Sequence, residues 1–369
     1  MGLASVGSAD IVGSAIAAIF WFYLASLIDP EKYGEISYFL GIAGVSSYIA
    51  TIGTQNTITV YIAKDVKLQS TLYFISLIVG IISSIVLALI FYRVDASLLL
   101  LAYIVNALAL GDLLGRKLFQ NYLKYTLIQK GLTLILGIGS YFAFGPDGIL
   151  YALALSYVSF SVIVYRGLKR SNLDFKLLKS KFGFIFNNYL VYVTGGFTGQ
   201  IDKLLIAPLF GFAVLGNYSL ALQATSVLMI LSRAAFKYTL PQDAEGHKNY
   251  LIKKLTFLSA IVLAITGIIV APMIIPLAFP KYSGATQAIQ IMSLDVIPST
   301  LSMIYWSKFL GMERSRYVLI STIIGFVVSV VGIVTLGYLY GIVGLAASLV
   351  LSSASQAGYL SYVSYSLKR

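Results

Sequence analysis

Apolar blocks long enough to cross a membrane recur about twelve times along this chain, and its Lys and Arg gather at every second break between them. A hydrocarbon core about 30 Å thick is crossed by about 20 residues of helix. Lipid offers backbone N–H and C=O groups no partner, so each crossing segment must satisfy its own, as a helix does. Apolar residues make up 59% of the sequence and charged residues 11%, where a soluble domain carries about 25% charged. The fold class that follows is an all-α integral membrane protein with about 12 transmembrane helices.

Charge and turn residues place the spans near 3–28, 35–62, 70–92, 97–116, 122–144, 148–166, 183–208, 214–237, 251–279, 285–308, 315–338 and 342–366. The even breaks hold Lys64 and Lys67; Arg116, Lys117 and Lys124; Arg166, Lys169, Arg170, Lys176, Lys179 and Lys181; Lys237, Lys248, Lys253 and Lys254; and Lys308, Arg314 and Arg316. Lys368 and Arg369 follow the last span, whereas the odd breaks carry only Lys32, Arg93 and Lys281. The positive-inside bias then puts the even loops and both termini in the cytoplasm, in a multi-pass protein of the cell membrane.

The net charge of +12 is accounted for as loop charge that sets topology and meets membrane lipid headgroups, so no nucleic-acid partner is expected. The longest aqueous stretch, 166–182, is too short for a soluble catalytic domain. Zero Cys rules out disulfides and thiolate chemistry, and the single His247 has no ligand partners, so no metal site or resident cofactor is expected.

Six spans lie on each side of the stretch 166–181, and the two sides echo one another. Tyr33-Gly34-Glu35-Ile36-Ser37-Tyr38-Phe39-Leu40 lines up with Leu215-Gly216-Asn217-Tyr218-Ser219-Leu220-Ala221-Leu222. Lys124-Tyr125-Thr126-Leu127-Ile128 lines up with Arg316-Tyr317-Val318-Leu319-Ile320, and Gly148-Ile149 with Gly341-Ile342. An even number of spans per copy makes the repeat parallel, about an axis along the membrane normal, with a substrate path expected between the halves. The predicted organisation is an N-terminal six-helix bundle over 1–165, a cytoplasmic connector over 166–182 and a C-terminal six-helix bundle over 183–369.

Leu27-Ile28-Asp29-Pro30-Glu31-Lys32-Tyr33-Gly34 with Ile36-Ser37-Tyr38 resembles the first hairpin of polysaccharide exporters and oligosaccharide flippases. Ile201-Asp202-Lys203-Leu204-Leu205-Ile206, then Phe210-Gly211 and Leu215-Gly216-Asn217-Tyr218-Ser219-Leu220-Ala221, is similar to that family's second-half signature. The resemblance covers essentially the whole chain. It implies the multidrug/oligosaccharidyl-lipid/polysaccharide (MOP) exporter superfamily, with its MATE/flippase-like pair of six-helix bundles working by alternating access. The lipid II flippase branch carries two further C-terminal spans, and with twelve spans expected here the resemblance implies another branch.

Charge inside a bilayer is expensive and by default faces a cavity or a partner. Lys203, in the seventh span, could meet a diphosphate, with Asp202 orienting it or exchanging H⁺ or Na⁺; a structural pair is the alternative. Asp295 lies three residues before Pro298, which frees a carbonyl and makes a kinked, ion-responsive site conceivable. Asp10, in the first span, is a third coupling candidate, although it lies only about 10 Å from the start of the span. Lys130 and Arg233 have no acidic residue at helical spacing and are phosphate candidates, unless they snorkel to headgroups. Asp112 and Arg116 read as an i,i+4 ion pair. Gln55 and Asn56 in a Thr-rich run, with Gln200 and Gln223, could line a sugar path or glue helices together.

Two functions stay open on these residues. A flippase for a polyprenyl-diphosphate-linked glycan needs cations for the diphosphate and polar or aromatic walls for the sugars. A H⁺- or Na⁺-coupled antiporter of cationic drugs needs carboxylates to dominate instead. Enzyme activity is not expected: Asp29-Pro30-Glu31 only superficially matches a glycosyltransferase carboxylate loop, and no large outer domain holds an acceptor. The expected partners are the lipid-linked glycan, membrane lipids and glycan-synthesis enzymes, with the protein itself a monomer.

Overall fold

A computed structural model of the chain describes residues 2–246, 249–312 and 314–367, with side chains at all of these except 2–6, 9, 10, 241 and 244. His247, Lys248, Lys368 and Arg369 lie outside the described residues. The helices are α1 (Gly2–Leu27), α2 (Pro30–Ala50), α3 (Gln55–Ala63), α4 (Gln69–Phe91), α5 (Val94–Gly115) and α6 (Phe119–Phe144). There follow α7 (Ile149–Ser156), α8 (Val158–Leu168), α9 (Phe175–Ser180), α10 (Phe182–Thr198), α11 (Ile201–Phe210) and α12 (Phe212–Leu228). The last are α13 (Ile230–Ala244), α14 (Tyr250–Ala278), α15 (Ala285–Ser293), α16 (Val296–Gly311) and α17 (Ser315–Ser366). No strand occurs among the described residues, and each expected apolar block is a helix, a broken helix or half of a folded-back one.

Two apolar stretches run for 50 and 52 residues, Phe119–Leu168 and Ser315–Ser366. Both fold back on themselves. Gln129 donates to Ser156 at 3.1 Å and Ser352 to the Gly325 carbonyl at 2.7 Å, each across 27 residues, which a straight helix would hold about 40 Å apart. The reversals use Gly145 at φ 70° and Gly341 at φ 57°, ψ −135°, backbone that side chains with a Cβ rarely adopt. In the first half the positive-φ residue is Gly145, at the start of the turn, rather than Gly148.

Three further spans are bent: α2–α3 by 41°, α12–α13 by 49° and α15–α16 by 40°. At the first bend Thr54 caps α3, accepting from the Thr57 N–H at 3.2 Å, and Ser76 accepts from the Gly53 N–H at 2.8 Å. At the third, Pro298 has no N–H to give Leu294, whose carbonyl takes the Ile297 N–H at 3.3 Å instead. Proline thus tightens one turn and redirects the helix.

The chain divides into two compact units. One contains 1–20 and 38–201, the other 21–37 and 202–369. The divisions fall inside the first, second and seventh spans, not at the connector 166–182. In the first unit α5 touches α3, α4, α6, α7 and α8; in the second, α15 and α16 together touch α12, α13, α14 and α17. The central element is the fourth span of its half in both cases, as expected of a duplicated architecture. The outer faces are apolar: Ile78, Ile81, Ile82, Ile85 and Leu89 stand exposed along α4, and Val262, Ile265, Ile269 and Met273 along α14. At helical spacing these are lipid-facing stripes.

One contact in the second unit ties the repeat together. A Cβ on Gly34 would lie 1.9 Å from the Phe212 carbonyl oxygen, and one on Gly216 would lie 1.8 Å from the Pro30 carbonyl oxygen. The starts of α2 and α12 therefore meet backbone to backbone, and only glycine fits at either position. Beside this contact Tyr33 packs edge-on against Trp21 at 6.0 Å and against Tyr282 at 5.9 Å.

Candidate functional site

The seventh span breaks at Gly199-Gln200, between α10 and α11, so Asp202 and Lys203 occupy the first turn of a restarted helix. The backbone N–H groups of such a turn lack intrahelical acceptors and favour negative charge. The Asp202 carboxylate accepts the Lys203 N–H at 2.8 Å, and the Lys203 ammonium acts on the same group. The Tyr218 hydroxyl, from α12, donates to Asp202 as well, and Tyr218 also lies within electrostatic reach of Asp295. Asp295, at the α15–α16 bend, is buried and accepts from Ser299 at 2.9 Å through Oδ2. Its Oδ1 has no hydrogen-bond partner; Ser353 faces the carboxyl group, but its hydroxyl is committed to the Val350 carbonyl at 3.0 Å. The half-buried Asp202 is thus hydrogen-bonded to the buried Tyr218, with the buried Asp295 near enough to act on the same phenol, and these two carboxylates could carry a proton or hold a small cation. Among the described residues no group of three or more His, Cys, Asp or Glu could hold a metal ion.

The cations are differently placed. Arg233 turns back along its own span, its guanidinium donating to the Ser226 carbonyl and to Ser226 Oγ at 3.3 Å. It thereby satisfies a carbonyl at the α12–α13 bend, where the helical ladder is interrupted, and most of its five donors remain for another acceptor. The Lys130 stem runs past Gly13 of α1, where an added Cβ would be 3.4 Å from Lys130 Cγ. Neither cation pairs with a carboxylate among the described residues. Asp10 falls in α1, but its side chain lies outside the described residues.

Most of the Thr-rich run is structural. Thr51, Thr54 and Thr57 are buried, and Thr51 donates to the Ser47 carbonyl at 2.6 Å. Asn56 is exposed, while Gln55, Gln200 and Gln223 are half-buried; Gln200 lies against Gly44. Asp112 and Arg116 do pair, at 2.5 Å, and Gln69 bridges them with bonds of 3.1 and 2.7 Å. What reasoning from sequence missed is Tyr218, which sits within the quoted second-half motif yet gives no sign there of bonding to Asp202.

A family model described as "Polysaccharide biosynthesis protein" matches residues 23–279. The chain belongs to that family. No curated protein matches it. Among solved structures, this family member is similar to a multidrug resistance MATE family transporter of the MOP superfamily in its inward-facing conformation. The TM-score is 0.72 at 18% identity, covering 97% of this chain and 95% of the other. A MOP superfamily transporter from Pyrococcus furiosus, described as having a binding pocket of reverse polarity, gives TM-score 0.68 at 17% identity over 100% and 96% of the two chains. A multidrug resistance MATE family transporter in its outward-facing conformation gives 0.66 at 18% identity over 100% and 95%. The polysaccharide biosynthesis family member therefore has the multi-pass helical membrane fold of the MOP exporter superfamily.

Proposed function

We propose that the protein translocates a lipid-linked oligosaccharide or polysaccharide precursor across the cytoplasmic membrane by alternating access, with both termini in the cytoplasm. The observation that carries this reading is the pair Lys130 and Arg233, cations within membrane spans that no carboxylate neutralises among the described residues. A diphosphate rewards such cations, and a cationic drug is repelled by them. Membership in the polysaccharide biosynthesis family supports the same choice. Lys203, offset by Asp202, has a positioning role, and Gln55, Asn56, Gln200 and Gln223 offer hydrogen bonds to sugar hydroxyls. Asp202, bonded to Tyr218, and the nearby Asp295 take the coupling H⁺ or Na⁺. The protein acts without enzymatic activity of its own, as a monomer beside glycan-synthesis enzymes.

Those same carboxylates favour a second reading, an ion-coupled antiporter of cationic drugs. Deleting the gene and complementing it with variants separates the two. A flippase leaves lipid-linked glycan stranded on the cytoplasmic face, and Lys130→Ala with Arg233→Ala fails to rescue its export. If that double variant exports glycan normally while Asp202→Asn abolishes drug efflux, the flippase reading is wrong.

A further inference from the structure

The first unit brings four tyrosines together from four spans: Tyr48 of α2, Tyr103 of α5, Tyr157 at the α7–α8 junction and Tyr192 of α10. Tyr48 and Tyr192 meet edge to face at 4.8 Å, and Tyr103 and Tyr157 at 5.6 Å. The two pairs are one group, because Tyr48 lies within electrostatic reach of all three others. Tyr103 stands nine residues into α5, about 13 Å from its end and so near mid-membrane.

Each of the four is partly exposed, and none of their hydroxyls bonds to another described residue. Two tyrosines elsewhere do have backbone acceptors, Tyr73 donating to the Leu108 carbonyl at 2.9 Å and Tyr189 to the Ile49 carbonyl at 2.7 Å, whereas the buried Tyr61 hydroxyl has none. A phenol left without a partner at this depth is costly unless something polar meets it. The cluster is also held in place. A Cβ on Gly196 would fall 2.2 Å from the Tyr48 ring, so that ring lies flat on the α10 backbone and any side chain there would displace it.

The chemistry identifies the ligand class. No charged side chain acts on Tyr103, Tyr157 or Tyr192, so the cluster is not built for a diphosphate. A cation would use ring faces and leave the hydroxyls unpaired. A pyranose uses both parts, its hydroxyls exchanging hydrogen bonds with the phenols and its C–H edges lying on the rings. We propose that Tyr48, Tyr103, Tyr157 and Tyr192 form a binding subsite for an uncharged sugar ring of the translocated glycan, an inference that rests on the glycan-translocation reading.

The test measures binding to the full chain in lipid nanodiscs with two probes, farnesyl diphosphate and farnesyl diphosphate linked to N-acetylglucosamine. In the native protein the sugar should tighten binding about tenfold, the value of a few neutral hydrogen bonds. Tyr103→Phe with Tyr157→Phe keeps both rings and should reduce the advantage to under about twofold, leaving the bare diphosphate affinity unchanged as evidence of folding. Gly196→Ala should reduce it too, by displacing Tyr48. A sugar advantage that is absent, or that survives both changes, overturns the subsite while the diphosphate reading stands. Failure of both probes to bind overturns the translocation reading and the subsite with it. Binding of tetraphenylphosphonium with no sugar advantage makes the cluster a cation cage, which also overturns the proposal.

Discussion

Alanine at Gly34 should force apart the ends of α2 and α12. The added methyl would sit 1.9 Å from the Phe212 carbonyl oxygen, where carbon atoms essentially never approach closer than 3.0 Å. The backbones must therefore separate by about 1 Å or more, since a carbonyl in a helix has no rotamer to change. Overpacking of this kind costs about 1–3 kcal/mol, which shifts an equilibrium between joined and parted ends about 5- to 150-fold. The chain has no Cys, so a single thiol can report the change. Ser219→Cys is nearly isosteric, three residues from Gly216, 8% exposed, and its hydroxyl makes no hydrogen bond. Gly34→Ala should accelerate labelling of that thiol by a membrane-impermeant maleimide within the 5- to 150-fold range, and Gly216→Ala should do the same. Because one separation relieves both clashes, the double variant should cost less than the two singles together. Unchanged labelling and unchanged thermal stability in both singles would refute the backbone contact.

Three other expectations concern separate parts of the molecule. Asp112→Ala strands Arg116 and Gln69 and should cost about 2 kcal/mol, less than the ~3–5 of a fully buried pair because Arg116 keeps 27% of its side-chain exposure; Asp112→Leu with Arg116→Met should recover most of the lost thermal stability. Gly341→Ala places a Cβ at φ 57°, ψ −135°, and should cost about 1–3 kcal/mol, read as a lower melting temperature in detergent, whereas Gly358→Ala, where a Cβ meets nothing within 4 Å, should be near neutral. Asp295→Asn retains an acceptor for Ser299 but no longer ionises, so transport in proteoliposomes should stop responding to an imposed H⁺ or Na⁺ gradient; an unchanged response removes Asp295 from the coupling path.

Much of the fold was legible because membrane helices must be long and uniformly apolar. The block expected at 70–92 is α4 over 69–91, and that at 122–144 is α6 from Phe119. The turns at 145–148 and 338–341 were marked by glycine and by the absence of basic residues. The bends were harder. Pro298 announced one, but the break at Thr51–Thr54 rests on Ser76, a residue of another helix, reaching the Gly53 N–H. Partnerships between helices were least legible, because they depend on rotation and register that an all-apolar helix does not encode in its own periodicity. Asp112–Arg116 could be read as one turn of one helix; Tyr218 donating to Asp202 from another span, or four tyrosines meeting from four spans, could not. The halving at 166–181 likewise did not show that 21–37 packs with the second half.

The glycine contact also has an internal symmetry. Gly34 meets Phe212 and Gly216 meets Pro30, and each second-half residue lies 182 positions beyond its first-half counterpart. Written in the numbering of a single copy, both halves of the contact become the same statement: residue 34 of one copy touches residue 30 of the other. That reciprocity is the signature of an isologous interface between identical subunits related by a two-fold axis. The seam between α2 and α12 thus has the reciprocal form of such an interface within a single chain, at two positions where neither glycine is free to acquire a side chain.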